Sequence, residues 1–139
     1  MEILYFKKKS DDNFVIDQNV LWLSVDDYDV FCEHLKLCGQ HVLERTKWEQ
    51  VYADGTKYCG LFIDGGMVCR ACVEKYSLNA WEVGDVRTAR SYREKGYAHQ
   101  VCSFVLKYIL LQGKTATIRT EEDNKVMKNV IADLGFSIL

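Results

Sequence analysis

Proline is absent from all 139 residues, and no repeat or low-complexity stretch interrupts the chain. No composition break marks a linker, so one domain over residues 1–139 is the simplest division. Charge of one sign is also missing: acidic and basic residues alternate, and the net charge is only −2. That balance argues against nucleic acid or an anionic membrane as partner. The one basic run, Lys7–Lys9, is short and precedes Asp11 and Asp12, which reads as a solvated strand end. No apolar stretch approaches the roughly 20 residues needed to cross a bilayer. Met1–Phe6 is too short for the apolar region of a secretory signal. The expectation is therefore a soluble cytoplasmic protein.

Cysteine is plentiful but lacks a pattern. The six are Cys32, Cys38, Cys59, Cys69, Cys72 and Cys102. Only Cys69 and Cys72 are close, and they sit in a β-like run. Residues three apart on a strand face opposite ways, so the pair is badly placed to share a metal. No second pair and no histidine pair completes a zinc set. Reduced structural cysteines and no metal are expected. Hydrophobic residues make up 48%, enough to bury roughly two-thirds of the unfolded surface.

The front of the chain reads as two strands, Glu2–Phe6 and Phe14–Leu23, in a hairpin arrangement. Ser24 with Asp27 three residues on has the form of a helix start. Val30, Phe31, Leu35 and Leu37 continue at helical spacing, and a second helix spans His41–Tyr52. Three strands follow, Lys57–Ile63, Met67–Tyr76 and Ala80–Thr88. Asp64-Gly65-Gly66 is the tight turn of a hairpin between the first two. They form an antiparallel meander. The back half alternates: helix Tyr97–Leu111, strand Thr115–Thr120, helix Asn124–Leu134, and a last strand from Phe136. Such a βαβ order implies parallel pairing. The fold class is α/β, a mixed sheet with an antiparallel front, a parallel back and helices on both faces.

The chemistry concentrates at one strand–helix junction, Ala89–Ala98. Gly96 permits a tight turn. The helix it opens leaves its first amide N–H groups without helical acceptors and carries partial positive charge there. Arg93 and Lys95 add full charge. Together these make an anion site suited to a pyrophosphate. An ordinary helix start with solvated basic residues has the same local look.

The wider pattern favours the site. Arg93-x-x-Gly96-x-Ala98 resembles the pyrophosphate-binding motif Gln/Arg-x-x-Gly-x-Gly/Ala of the GNAT acetyltransferase superfamily. About 30 residues on, an Asn124-led helix ends in Leu134-Gly135-Phe136, which resembles that family's closing signature. The resemblance covers Lys57–Phe136. It implies a GNAT-like sheet and binding of acetyl-coenzyme A as co-substrate. By that resemblance Val86, Arg87 and Thr88 run beside the pantetheine arm. The pyrophosphate takes amides from Arg93, Glu94, Lys95, Gly96, Tyr97, Ala98 and His99. Asn124 stands near the thioester end.

The resemblance further implies acetyl transfer to a primary amine of a small molecule or peptide. Glu82 is the candidate base, eleven residues before Arg93, the spacing of a strand-borne catalytic glutamate in some GNAT enzymes. Strand alternation puts Glu82 on one face with Gly84, Val86 and Thr88. Asp85 is a weaker candidate on the other face, subject to any bulge. Ile131 stands where many family members carry a thiolate-protonating tyrosine. The family also continues past the Gly-Phe signature into a further strand. By that resemblance the expectation here is a pared-down acceptor side, completion by the N-terminal strands, or completion by a partner chain, and a homodimer is compatible with the last. The alternative reading is a non-catalytic acyl-coenzyme A-binding module. Trp22, Trp48 and Trp81 read as packing residues, His34 and His41 as surface helix residues, and Cys102 as buried.

Overall fold

The computed structural model describes residues 1–8 and 19–138. Its frame is a seven-stranded sheet in the order β2-β3-β4-β5-β6-β1-β7. The strands are β1 (Glu2–Lys7), β2 (Val20–Trp22), β3 (Lys57–Ile63), β4 (Gly66–Glu74), β5 (Ala80–Thr88), β6 (Thr115–Glu121) and β7 (Ser137–Ile138). The helices are α1 (Tyr28–Leu37), α2 (Arg45–Ala53), α3 (Tyr97–Leu111) and α4 (Lys125–Asp133). The mixed sheet expected from the sequence is present: β2 to β5 form an antiparallel meander, and β5 pairs with β6 in parallel.

Local chemistry sets these elements. At the β3–β4 turn Asp64 and Gly65 have φ of 51° and 82°, so both central residues adopt the left-handed form that a two-residue hairpin requires. Before α1, Ser24 N–H donates to Asp27 Oδ2 at 2.7 Å while Asp26 N–H donates to Ser24 Oγ at 3.2 Å. This reciprocal pairing is the cap read from Ser24 and Asp27. β4 is buried along nearly its whole length, as a central strand covered on both faces must be.

Two cores divide the molecule at the sheet. On one face α3 and α4 bury Val101, Cys102, Val105, Ile109 and Ile131 against Cys59, Leu61, Cys69, Ala71, Val83 and Ile118. On the other, Phe31, Leu35 and Trp48 from α1 and α2 pack on Tyr58, Met67 and Cys72. Cys69 and Cys72 thus face opposite ways, as strand alternation demands. All six cysteines are free. The Trp48 ring is fully buried and its indole N–H donates to the Val25 carbonyl at 2.8 Å, so its one polar atom is satisfied. Among the described residues no helix is long and apolar enough to cross a membrane.

Two expectations need correction. β1 and β2 do not form a hairpin. They lie far apart in the sheet, β2 at one edge beside β3 and β1 between β6 and β7. The outer edge of β6 takes β1 through six register pairs, from Glu2↔Glu121 to Lys7↔Ala116. β7 then pairs with β1 at Tyr5 and Phe6, so β6 and β7 run the same way with β1 between them. The N-terminal strand therefore completes the sheet. Residues 14–18 of the expected second strand lie outside the described residues. His34, expected at the surface, is only 1% exposed, and His41 lies in the connection after α1. His34 Nδ1 is 3.1 Å from the Met67 carbonyl, and its Nε2 is 3.5 Å from Cys38 Sγ. A neutral ring donating from Nδ1 and accepting at Nε2 satisfies both contacts.

These placements generate two predictions. Tyr5 is buried in the α3–α4 core, so Tyr5→Ala should cost about 3 kcal/mol in urea unfolding. Leu21→Ala on the exposed face of β2 should cost under about 0.5 kcal/mol. Burial lowers His34 from 6.5 to about 4. The unfolded chain therefore binds a proton between those values and the folded chain does not. Stability from neutral His34 is full above about pH 6.5 and falls on acidification, by about 2 kcal/mol between pH 7 and 5. His34→Gln should remove that part of the slope, which urea midpoints at the two pH values will read.

Candidate active site

β5 and β6 pair only from Ala80↔Thr115 to Val83↔Ile118. Beyond Val83 the strands part and leave a fork in the sheet. The cause lies in β5. Between Gly84 and Arg87 it has one more residue than β4 has between Cys72 and Arg70, which is a β-bulge. Asp85 stands in the bulge with φ of 46°, a left-handed conformation that a non-glycine residue adopts at a cost.

Arg70 holds it there. This side chain is 3% exposed and reaches across from β4. Its Nη2 donates to Asp85 Oδ1 at 3.0 Å and its Nε to Asp85 Oδ2 at 3.2 Å. Tyr58 O–H donates to Asp85 Oδ2 at 2.6 Å, and Arg70 Nη1 donates to Gln40 Oε1 at 2.9 Å. The bulge is thereby tied to β3, β4 and the α1–α2 connection. Burial raises the Tyr58 hydroxyl far above its ordinary value, so it stays protonated and can donate to Asp85.

The bulge also overturns the simple alternation expected for β5. Glu82 and Asp85 point to the α1–α2 face, where they meet Thr117 and Tyr58. Val86 packs into the α3–α4 core, and the Thr88 hydroxyl lies 3.2 Å from Cys69 Sγ on that same side. Val86 and Thr88 are therefore not on the Glu82 face. Asp85, expected opposite Glu82, shares its face instead.

A groove of about 700 Å³ runs along the open edge of β5 to the start of α3. It gathers Val86, Arg87, Thr88, Arg93, Glu94, Gly96, Tyr97, Ala98, His99 and Asn124 from the residues singled out in the sequence. Lys95 is not among its lining groups. Gly96 has φ of 80°, the left-handed turn that starts the helix. The α3 ladder begins with Gln100 N–H to the Gly96 carbonyl, so the Tyr97, Ala98 and His99 amides precede it and have no helical acceptor. Arg93 Nε donates to the Thr88 carbonyl at 3.2 Å and closes the loop on β5. His99 Nε2 pairs with Asp133 at 2.7 Å, linking α3 to α4. Asn124 caps α4 through Oδ1, which accepts from Met127 N–H at 3.1 Å. Its Nδ2 is the donor it can offer a ligand. Ile131 is fully buried under α4 and does not line the groove.

A second cavity of about 280 Å³ fills the fork itself. It shares Val86, Asn124 and Met127 with the groove, and adds Glu2, Glu74, Glu82, Asp85 and Arg119. The Glu82 carboxylate is 13% exposed and accepts from Arg119 Nε at 3.0 Å and Thr117 Oγ1 at 3.1 Å. Glu74, Arg119 and Glu2 were not singled out in the sequence. Glu74 was legible only as the residue opposite Glu82 in the meander. Arg119 and Glu2 required knowing that β6 and β1 flank the fork. Among the described residues no group of three or more His, Cys, Asp or Glu is arranged to hold a metal ion.

This arrangement can do three things. Amides at a helix start and basic side chains can hold a phosphorylated ligand. An open strand edge can pair with an extended amide chain. A carboxylate-lined fork can receive a cationic amine and take a proton from it.

Comparison with known proteins follows the same lines. The family model described as "Acetyltransferase (GNAT) family" matches residues 22–136. A search of curated protein sequences gives no match. A putative GNAT acetyltransferase from Novosphingobium aromaticivorans superposes with a TM-score of 0.78 at 18% identity, over 99% of this chain and 60% of that one. A GNAT acetyltransferase from Colwellia psychrerythraea gives 0.75 at 20% identity, over 99% and 52%. This chain thus spans only 60% and 52% of the length of those two relatives. AAC(6')-Iy, solved with the bisubstrate analog CoA-S-monomethyl-acetylneamine, gives 0.68 at 17% identity, over 85% and 89%.

The bulge yields its own prediction. Asp85→Ala leaves the Arg70 guanidinium buried without its partner and should cost about 3 kcal/mol. Asp85 is 41% exposed, so water reaching the pair will lower that figure. Adding Arg70→Met should recover part of the loss. A double-mutant cycle by urea unfolding measures the coupling.

Proposed function

This chain belongs to the GNAT acetyltransferase family, and from that premise we propose that it transfers an acetyl group from acetyl-coenzyme A directly to a primary amine of a small molecule or peptide. The observation that carries the reading is the continuous path from the α3 start, along the open β5 edge, to the carboxylates of the fork.

The groove fits coenzyme A in its chemistry. The diphosphate is assigned to the Tyr97, Ala98 and His99 amides, with Arg93 and Gly96 shaping the turn. The pantetheine amides are assigned to the edge of Val86, Arg87 and Thr88, which β6 leaves open. Asn124 stands where groove and fork meet, so it is assigned to the thioester end. A relative solved with a coenzyme A bisubstrate analog supports the assignment. Bound there, acetyl-coenzyme A supplies an activated acyl group and a good leaving thiolate.

The chain's residues supply the rest. An ammonium group cannot attack a carbonyl, so a base must take its proton. Glu82 is assigned that role. Arg119 and Thr117 both bond its Oε1, which fixes the carboxylate at the fork and leaves Oε2 toward a substrate proton. The α1–α2 face of the sheet is then the acceptor side, and the α3–α4 face the coenzyme side.

One observation favours a second reading. Ile131 buries an apolar side chain where many family members place a tyrosine, so no hydroxyl there can protonate the thiolate. A non-catalytic acyl-coenzyme A-binding module would bind without releasing thiol.

Calorimetry should give one acetyl-coenzyme A bound per chain. Gly96→Val, which places a β-branched residue at φ of 80°, should weaken binding at least tenfold. Gly113→Asn, after the far end of α3, should leave binding unchanged. No heat of binding and no thermal stabilisation by acetyl-coenzyme A would reject the reading. Binding without thiol release in a panel of amines would favour the module.

A further inference from the structure

The β4–β5 ladder sets Glu74 directly opposite Glu82. Opposed residues on antiparallel strands have Cβ atoms about 4.5–5.5 Å apart on one face. The two carboxyls are held very differently. Glu82 is fixed by Arg119 and Thr117. Glu74 has no ion pair among the described residues, and its polar neighbour is the Cys72 thiol, whose Sγ is 3.8 Å from Oε1.

Gly84 explains where the Glu74 carboxyl lies. A Cβ at residue 84 would come within 2.5 Å of Glu74 Oε1 and 3.1 Å of its Cδ. The missing side chain lets this carboxyl fold over β5, toward the fork. Glu74 and Glu82 both line the cavity there. The other charged groups lining it are Glu2 on β1, Asp85 on β5 and Arg119 on β6. Asp85 is occupied by Arg70. Burial raises Glu74 above its ordinary value, and repulsion from Glu82 adds to that, while Arg119 opposes it.

We propose that Glu74 is a second catalytic carboxylate, paired with Glu82 so that the two together take up and hold the proton leaving the amine. The proposal rests on the acetyl-transfer reading and deepens it. The ionised pair accepts one proton from the substrate ammonium. The freed nitrogen lone pair forms the N–C bond to the acetyl carbon. The C–S bond breaks and its electrons leave with sulfur. The second proton shed by nitrogen goes to the thiolate, and the pair returns its proton to solvent. Ammonium and thioester thus give amide, thiol and one proton. Two opposed carboxylates bind the first proton more tightly than either alone, which moves the base toward neutral pH.

The test uses the full chain with ¹³C-labelled glutamate carboxyls and a thiol-release assay. The assay offers acetyl-coenzyme A with monoamines, diamines, lysine and peptides with free N-termini. The Glu74 carboxyl should titrate above the ordinary glutamate range. Its midpoint should fall in Glu82→Gln and rise in Arg119→Gln. Glu74→Gln should lose at least tenfold in kcat, keep its affinity for acetyl-coenzyme A within twofold, and shift the acid limb of kcat/KM to lower pH. Gly84→Ala, which displaces the Glu74 carboxyl without removing it, should show a similar loss of kcat. A Glu74 midpoint indifferent to Glu82→Gln, or a Glu74→Gln variant with wild-type rate and pH profile, overturns this inference alone. No thiol release by the wild type with any amine overturns the acetyl-transfer reading and this role together.

Discussion

The site depends on one ion pair, between the buried Arg70 and the partly exposed Asp85. Arg70 grips Asp85 through two nitrogens and fixes a left-handed residue inside a strand that would otherwise run straight. The extra residue turns β5 away from β6, so their pairing ends at Val83. Everything useful lies in the gap that results: the open edge of Val86–Thr88, the mouth at Asn124 and the carboxylates beneath. A regular ladder there would satisfy more backbone hydrogen bonds and leave no room for a ligand. Arg70 also reaches Gln40, so the connection between α1 and α2 shares the same anchor. One guanidinium thus ties the β5 bulge to the connection between α1 and α2.

Much of this was legible in the sequence because it rests on local chemistry. Asp64-Gly65 can turn in few ways, Ser24 and Asp27 cap each other, and Gly96 opens a helix whose amides seek an anion. Each signal spans four residues or fewer, and each appears where the sequence puts it. The groove likewise collects ten of the eleven residues expected to meet the coenzyme, from Val86 to Asn124.

What failed was long-range. Strand alternation assigns faces only while the ladder stays regular, and the bulge at Asp85 breaks it between Glu82 and Val86. No local feature near Asp85 betrays the bulge, because its cause, Arg70, is on another strand. The place of β1 was hidden for the same reason. Glu2–Lys7 and Val20–Trp22 are neighbours in sequence, but the edge of β6 that β1 takes lies far along the chain, at Ala116–Glu121. His34 was misread because its spacing on α1 resembles a surface position, while the Met67 carbonyl that receives it belongs to the sheet. Glu74 gained meaning only when Gly84 and Arg119 were seen around it.

The central claim is that the groove along the open edge of β5, and not some other surface, receives acetyl-coenzyme A. Amide hydrogen exchange with and without acetyl-coenzyme A tests this most directly. New protection is expected at Val86–Thr88 on β5 and at Tyr97–His99 at the start of α3, with little change in β2, β3 or α2. Protection centred on any other surface, or binding that leaves these two segments unprotected, would contradict it.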